Sequence, residues 1–333
     1  MMMHQLKINF LCLIALSMAS LSIHAQTNAS NSSTPYPDKP VRVILGFPSG
    51  AVTDTLTRTV AQQLGQKLNQ QFVVENKPGA ATRIAMESMQ KSPADGYTIA
   101  VGNAVVSTFG LMFDGMSFDP GKEFVPISML GRSPSFLAVR GNMPVKNYEE
   151  FKTFAKGAKL SVGHPGNGTN PHIAGAALAR SLGVDAVEIA FKGGTPLATA
   201  LASGDIDFAM VDYQSTRGLV DKGAIKLLAV TEPKLFSQRP DIPTGKELGI
   251  LPEIEGLTPW FILMAPAGTP KPVIDRLNHE VRAIMSSPEM TQKLGPLGLE
   301  PDSSTPEQAG AYFLSHRKKI EGLLSQLNIS IKN

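Results

Sequence analysis

Val41-Arg42-Val43-Ile44-Leu45 runs directly into Gly46-Phe47-Pro48-Ser49-Gly50-Ala51-Val52-Thr53-Asp54, and this junction decides the fold. An apolar run broken only by Arg42 reads as a strand buried on both faces of a mostly parallel sheet. Beyond the small-residue loop, Leu56, Val60, Leu64 and Leu68 recur at helical spacing over 53–68 and mark one buried helix face. A loop of this kind, between a buried strand and a helix start, presents unpaired backbone N–H groups and the positive end of a helix dipole. Both suit a carboxylate or a phosphate. The same junction recurs downstream, where Leu160–Val162 leads into Gly163-His164-Pro165-Gly166-Asn167-Gly168-Thr169-Asn170-Pro171 and a helix over 173–181. Small-residue turns are common without a ligand, so either loop alone is ambiguous. Two of them, one per half of the chain, suggest two jaws closing on one small acidic molecule.

Working outward, strand and helix patterns alternate. Strand-like runs at 71–75 and 97–102 flank a helix over 84–91, with a turn at Pro93-Ala94-Asp95-Gly96. The pattern restarts after Ser133-Pro134, with strand-like runs at 136–139, 160–163, 187–191, 208–211 and 227–230 and helices at 148–156 and 173–181. Such alternation argues for α/β architecture with crossover connections. A strand at 260–265 and helices over 272–286 and 306–327 close the chain without a further sheet of their own. The economical solution returns the chain to the first domain. We therefore expect an α/β protein of two domains, 36–134 with 256–333 and 135–255, joined by a hinge of two crossings.

The candidate ligand-binding residues follow from the loops. In the first, Phe47, Ser49, Gly50 and Ala51 leave the backbone uncovered. Thr53 or Asp54 is expected to cap the helix, unless Asp54 faces the ligand instead. In the second, Asn170-Pro171 reads as cap and first helical residue. That places Gly166, Asn167, Gly168 and Thr169 where an anion would sit, with His172 in the first helical turn. His172 is either a ligand contact or a structural histidine. A third loop, Phe191-Lys192-Gly193-Gly194-Thr195-Pro196, offers the charge of Lys192 and the bare N–H of Gly193, although Lys192 reads equally as a surface residue. Arg83, at a helix start, has the fork geometry for a carboxylate or else faces solvent. Asn103 and Asp212, just past two predicted strands, complete the set.

The bulk properties bound the class. The N-terminus reads as a secretory signal over 1–25: Lys7 supplies the positive charge, an interrupted apolar run covers 8–23, and Ile23-His24-Ala25 forms the cleavage site. The run is shorter than the roughly 20 apolar residues a spanning helix needs. The polar stretch 26–35 is expected to be a disordered tether. Removing 25 of 333 residues leaves 308, enough for two domains. Cys12, the single cysteine, lies within the signal, so the exported chain would have neither a disulfide nor a thiol nucleophile. The formal charge of +3 and one short basic run, Arg317-Lys318-Lys319, give no support to nucleic-acid binding.

Enzyme signatures are missing. Gly163, Gly166 and Gly168 do not have the dinucleotide-loop spacing, no phosphate-binding P-loop is present, and Ser49 lacks the nucleophile-elbow context. His164, His172, His279 and His316 do not show a metal-ligand spacing. No catalytic residue, cofactor or metal is expected.

Several segments together resemble a known family. They are Tyr36-Pro37-Asp38-Lys39-Pro40-Val41-Arg42, Phe47-Pro48-Ser49-Gly50, Val74-Glu75-Asn76-Lys77-Pro78-Gly79-Ala80 and Pro93-Ala94-Asp95-Gly96-Tyr97-Thr98. To these add Phe118-Asp119-Pro120, Phe191-Lys192-Gly193-Gly194 and Ala265-Pro266-Ala267-Gly268-Thr269-Pro270. Each motif is weak, but their number and order resemble the Bug-type extracytoplasmic solute-binding receptors of tripartite tricarboxylate transporters, over nearly the whole exported chain. The resemblance implies a periplasmic-binding-protein fold of type II character and a carboxylated ligand held by loop amides. It also implies delivery to membrane permease subunits. Two departures stand out. Ala51 replaces a second glycine, and Ala81-Thr82-Arg83-Ile84-Ala85 replaces Gly-Gly-Asn-Ile-Gly, which reshapes one wall of the pocket and gives Arg83 a second carboxylate to bind.

The expectation is thus a monomeric periplasmic receptor for a small organic acid, not an enzyme. A periplasmic sensor input and an exported hydrolase or isomerase are the alternatives. Trp260, the only tryptophan, falls near the second crossing, where its fluorescence would report closure.

Overall fold

The computed structural model describes residues 36–250 and 254–330. The expected signal and tether lie outside the described residues. All elements below belong to Lys39–Asn333, one compact unit.

In chain order the first half contains β1 (Val41–Leu45), α1 (Val52–Leu68), β2 (Phe72–Asn76), α2 (Arg83–Gln90) and β3 (Thr98–Asn103). Three one-turn helices follow, α3 (Ala104–Ser107), α4 (Phe109–Met112) and α5 (Pro120–Glu123), then β4 (Phe124–Arg132). After Ser133-Pro134 come β5 (Ser135–Arg140), α6 (Tyr148–Ala155), β6 (Leu160–His164), α7 (Asn170–Ser181), β7 (Ala186–Ala190), α8 (Gly194–Ser203), β8 (Phe208–Asp212), α9 (Tyr213–Asp221) and β9 (Ile225–Val230). The chain then returns through β10 (Trp260–Pro266), α10 (Lys271–Met285), α11 (Pro288–Leu294), β11 (Glu300–Pro301) and α12 (Pro306–Leu327).

The strands form two sheets, in the orders β11-β4-β10-β3-β1-β2 and β7-β6-β8-β5-β9. Both are mixed, which corrects the mostly parallel expectation. β1 pairs parallel with β2 and β3, and β6 parallel with β7 and β8, but β10 and β5 run against their neighbours. The crossings account for this. β4 ends at Arg132, and after two intervening residues β5 begins in the second sheet beside the end of β8, Ser135 opposite Asp212. β10 likewise enters the first sheet from its crossing edge. The crossings are tied together, Ser133 N–H donating to the Pro259 carbonyl at 2.8 Å.

Two strands are unanticipated, the two-residue β11 and β4, whose pattern is interrupted by Pro126 and Gly131. Pro126 stands opposite Met264 of β10, beside a register irregularity in that pairing, and β11 pairs only with Arg132 and Gly131.

Helices cover both faces of each sheet. In the first, Ile44, Met86, Ala100, Phe109, Trp260, Ile262 and Phe313 form one core. In the second, Phe136, Leu197, Leu201, Ile206 and Phe236 fill one face. The other face, with Leu137, Val139, Phe151, Ile173 and Phe208, also takes in Met112 and the Ile320, Leu323 and Leu324 of α12. Burying each of these large side chains contributes roughly 1.5–3 kcal/mol. α12 is therefore shared: Ala309 and Phe313 pack on the first sheet, while its C-terminal turns pack on the second.

Candidate functional site

The first loop leaves β1 at the crossing edge. Gly46 is required by close approach, since a Cβ there would lie 2.5 Å from the Thr82 Cβ. Gly50 adopts φ +84° and is exposed with Ser49, while Phe47 is half-buried. The cap expectation is corrected. Ala51, which has no capping side chain, is the N-cap, and Thr53 and Asp54 lie inside α1. The first intrahelical bond runs from Thr55 N–H to the Ala51 carbonyl, so the N–H groups of Val52, Thr53 and Asp54 stand ahead of the ladder.

Asp54 is turned inward. Its carboxylate accepts from Gly50 N–H at 3.0 Å, Arg58 Nε at 3.0 Å and Asn76 Nδ2 at 2.8 Å. Asn76 also donates to the Phe47 carbonyl at 2.9 Å and accepts from Arg58 at 2.8 Å. Burial pushes the Asp54 carboxyl up, but these hydrogen bonds and the Arg58 charge outweigh it and hold it at about 2. Asp54 therefore stays ionised and braces the loop, taking up the Gly50 N–H that the sequence offered to an anion.

The second loop is also more self-satisfied than its sequence suggested. Thr169, not Asn170, is the N-cap, its hydroxyl accepting from His172 N–H at 3.4 Å. Asn170 and Pro171 occupy the first two helical positions. The shift has a simple cause: the Thr169 backbone is extended, at φ −72° and ψ 153°, and its hydroxyl reaches the ladder, so the helix begins one residue earlier than expected, at Asn170. Gly166 and Gly168 both lie at positive φ. Gly168 N–H donates to His172 Nδ1 at 2.9 Å, and Gly193 N–H to the Pro165 carbonyl at 3.2 Å. The donors left at this end, among the described residues, are the N–H groups of Gly166, of Asn167, which is exposed, and of Asn170.

His172 is buried with both ring nitrogens engaged, Nε2 lying 3.1 Å from Glu188 Oε2. Through these two contacts it braces the loop. His164 stacks on it at 4.0 Å, and burial, then the neighbouring His172, pushes the His164 pKa down. His164, His172 and Glu188 hold possible metal-ligand atoms within 4.8 Å of one another. However, an amide N–H aimed at His172 Nδ1 puts the neutral ring's proton on Nε2, toward Glu188, so the lone pair a cation would need is not presented.

Of the remaining candidates, Lys192 is exposed. Asp212 caps α9, accepting from Ser215 N–H at 2.8 Å, and a Cβ on Gly194 would lie 2.6 Å from its carboxylate. The Gly-Gly loop thus sits directly on the end of β8. Arg83 opens α2, with its Nε 3.5 Å from Glu87 and its guanidinium over the Phe113 ring at 5.1 Å. Asn103 closes β3 opposite Phe261.

Strand register brings these residues to two edges. The ends of β1 and β3 lie beside the start of β10, where the chain crosses, and the ends of β6 and β8 lie beside the start of β5. The buried side-chain polar atoms without a hydrogen-bond partner concentrate at the same edges. Among the described residues they include Thr82 Oγ1, Arg83 Nε, Asn103 Oδ1, Trp260 Nε1 and His164 Nδ1. Buried polar groups are nearly always paired, so such a gathering marks a place built to meet polar atoms from elsewhere. Arg58 and Glu188 carried no sequence signal. Asn76 did: an Asn at the end of a buried strand, beside a bare loop, is a natural brace.

Two α/β lobes joined by paired crossings, with bare helix starts on the edges they share, define the periplasmic-binding-protein class. Within it, this chain belongs to the tripartite tricarboxylate transporter family receptors, whose family model matches residues 56–329. It is similar to BugT of Bordetella pertussis, 26% identical over 330 residues that cover 97% of this chain and 98% of BugT. A TctC solute-binding protein from Polaromonas superposes with a TM-score of 0.78 at 28% identity, covering 87% of this chain and 99% of the other. R. palustris Rpa4515, solved with adipate, superposes at 0.74 and 29% identity, covering 90% and 100%. The family is one of solute-binding receptors. Among the described residues no helix is long and apolar enough to cross a membrane.

Proposed function

We propose that this chain is a periplasmic receptor that captures a small carboxylated organic acid between two lobes, 36–134 with 256–333 and 135–255. It hands the acid to the membrane permease of a tripartite tricarboxylate-type transporter. The observation that carries this reading is the gathering of unpaired buried polar atoms at the two edges where helix starts also present N–H groups. The ligand's carboxylate meets the N–H groups of Val52, Thr53 and Asp54 from one lobe and of Asn167 and Asn170 from the other. Closure removes water and strengthens these dipoles. The ligand stabilises the closed form by its differential affinity. The receptor acts as a monomer without a cofactor.

The relative from R. palustris that holds adipate favours a dicarboxylate. Arg83, beside the first loop, is the group we assign to its second carboxylate. Thermal shift and calorimetry against mono-, di- and tricarboxylates test the reading. A ligand at 100 times its Kd stabilises the native form by about 2.7 kcal/mol. A folded protein that no such acid stabilises would overturn it. Arg83→Ala is expected to weaken a dicarboxylate about tenfold and to leave a monocarboxylate unchanged. Equal dicarboxylate affinity in both proteins would remove Arg83 from the site. Trp260 fluorescence is expected to change at saturating ligand.

A further inference from the structure

α12 is buried in both cores, and one buried polar residue sits where it passes from the first to the second. His316 is 4% exposed, with Ala309 and Phe313 packed on the first sheet before it and Ile320, Leu323 and Leu324 packed on the second after it. Its Nδ1 lies 2.8 Å from Ser107 Oγ, in the turn that follows the end of β3. Its Nε2 lies 3.2 Å from Asn170 Nδ2, at the first residue of α7. Asn170 Nδ2 also donates to the Thr258 carbonyl at 2.9 Å, in the second crossing.

One placement of protons satisfies the whole chain. A carbonyl only accepts, so Asn170 Nδ2 donates to Thr258 and its second hydrogen goes to His316 Nε2. His316 Nδ1–H then donates to Ser107 Oγ, whose own proton goes to the Ala104 carbonyl at 2.8 Å. The Trp260 ring closes the site edge-on at 5.2 Å.

We propose that His316 is a positioning residue for ligand capture: through Asn170 it fixes the start of α7, and with it the second loop's remaining N–H donors, against the β3 end of the first lobe. This rests on the binding reading above. The physical case is that the loop's own bonds, Gly168 N–H to His172 Nδ1 at 2.9 Å, Thr169 Oγ1 to the Gly166 carbonyl at 2.8 Å and the long 3.4 Å cap, all lie within the second lobe, with Gly166 and Gly168 at positive φ, so its tie to the first lobe runs through Asn170. Asn170 supplies both a candidate ligand donor, by its N–H, and a buried side-chain tie to the opposite lobe. Burial, then the Lys319 charge, holds the His316 pKa down at about 4, which keeps Nε2 an acceptor at neutral pH.

Two variants separate positioning from general stability. His316→Gln reaches as far as Nε2 and keeps the Asn170 bond. His316→Asn reaches only as far as Nδ1 and keeps the Ser107 bond. Each loses one buried hydrogen bond, so similar losses of Tm are expected. Amide hydrogen exchange on the unliganded full chain is expected to quicken about tenfold over 167–173 in His316→Asn and to stay near the parent in His316→Gln. Adipate affinity is expected to follow the same split, with the Asn variant about tenfold weaker. Equal exchange in the two variants, or parent-like exchange in His316→Asn, overturns the assignment. A parent that binds no carboxylate defeats the functional reading instead, while the exchange result still decides whether His316 holds the loop.

Discussion

Single residues around the first loop work by shape as much as by charge. Ala80, Ala81 and Thr82 lie at φ +44°, +50° and +74°, a left-handed run that ordinarily costs a residue with a Cβ about 1–2 kcal/mol each. The chain holds this strain and gains Thr82 as the wall against Gly46. That contact is sharply specified. Gly46→Ala must displace a Thr82 Cβ only 2.5 Å away, and is expected to cost about 1–3 kcal/mol. Chemical denaturation measures it, and a loss under about 0.5 kcal/mol would show that the 80–82 turn yields freely.

At the scale of elements, each helix start is held by its own device. α1 relies on Asp54, Asn76 and Arg58 beneath the loop, α7 on Thr169 and His172, and α9 on Asp212. α12 has a full capping box, with Thr305 and Gln308 reciprocally bonded. Thr169→Ala is expected to cost about 1 kcal/mol and Thr169→Ser much less. Because the cap belongs to the second loop, the Ala variant is also expected to weaken ligand binding more than its stability loss explains. Calorimetry on both variants checks this, and equal affinities would mean that the loop is held without its cap.

At the scale of the whole molecule, the shared helix α12 makes the lobes more than two bodies on a two-strand hinge. It carries a pH signature. An unfolded His316 takes a proton near its ordinary value of 6.5, whereas the folded ring stays neutral down to about 4. The unfolded state therefore binds more protons between these values, and stability falls as pH drops from about 6.5 to about 4, by about 3 kcal/mol. Denaturation across that range is expected to show this component in the parent and to lack it in His316→Gln. Parallel curves for the two proteins would place the titration elsewhere.

Read from its residues, the chain revealed its α/β alternation, its strand-to-helix loops and the return of its C-terminal part. Each of these rests on local periodicity, on small residues at fixed offsets, or on helix-start chemistry. Local sequence could not show strand direction: β5 and β10 run against their neighbours because the chain crosses between lobes at their facing edges. Nor could it show which loop N–H groups are already taken. Gly50, Gly168 and Gly193 read as open donors, yet Asp54, His172 and Pro165 claim them through contacts that exist only once the loops fold back. His316 and Ser107, far apart along the chain, carried no signal at all. A buried hydrogen bond between such residues is a property of packing, and only the tertiary structure decides it.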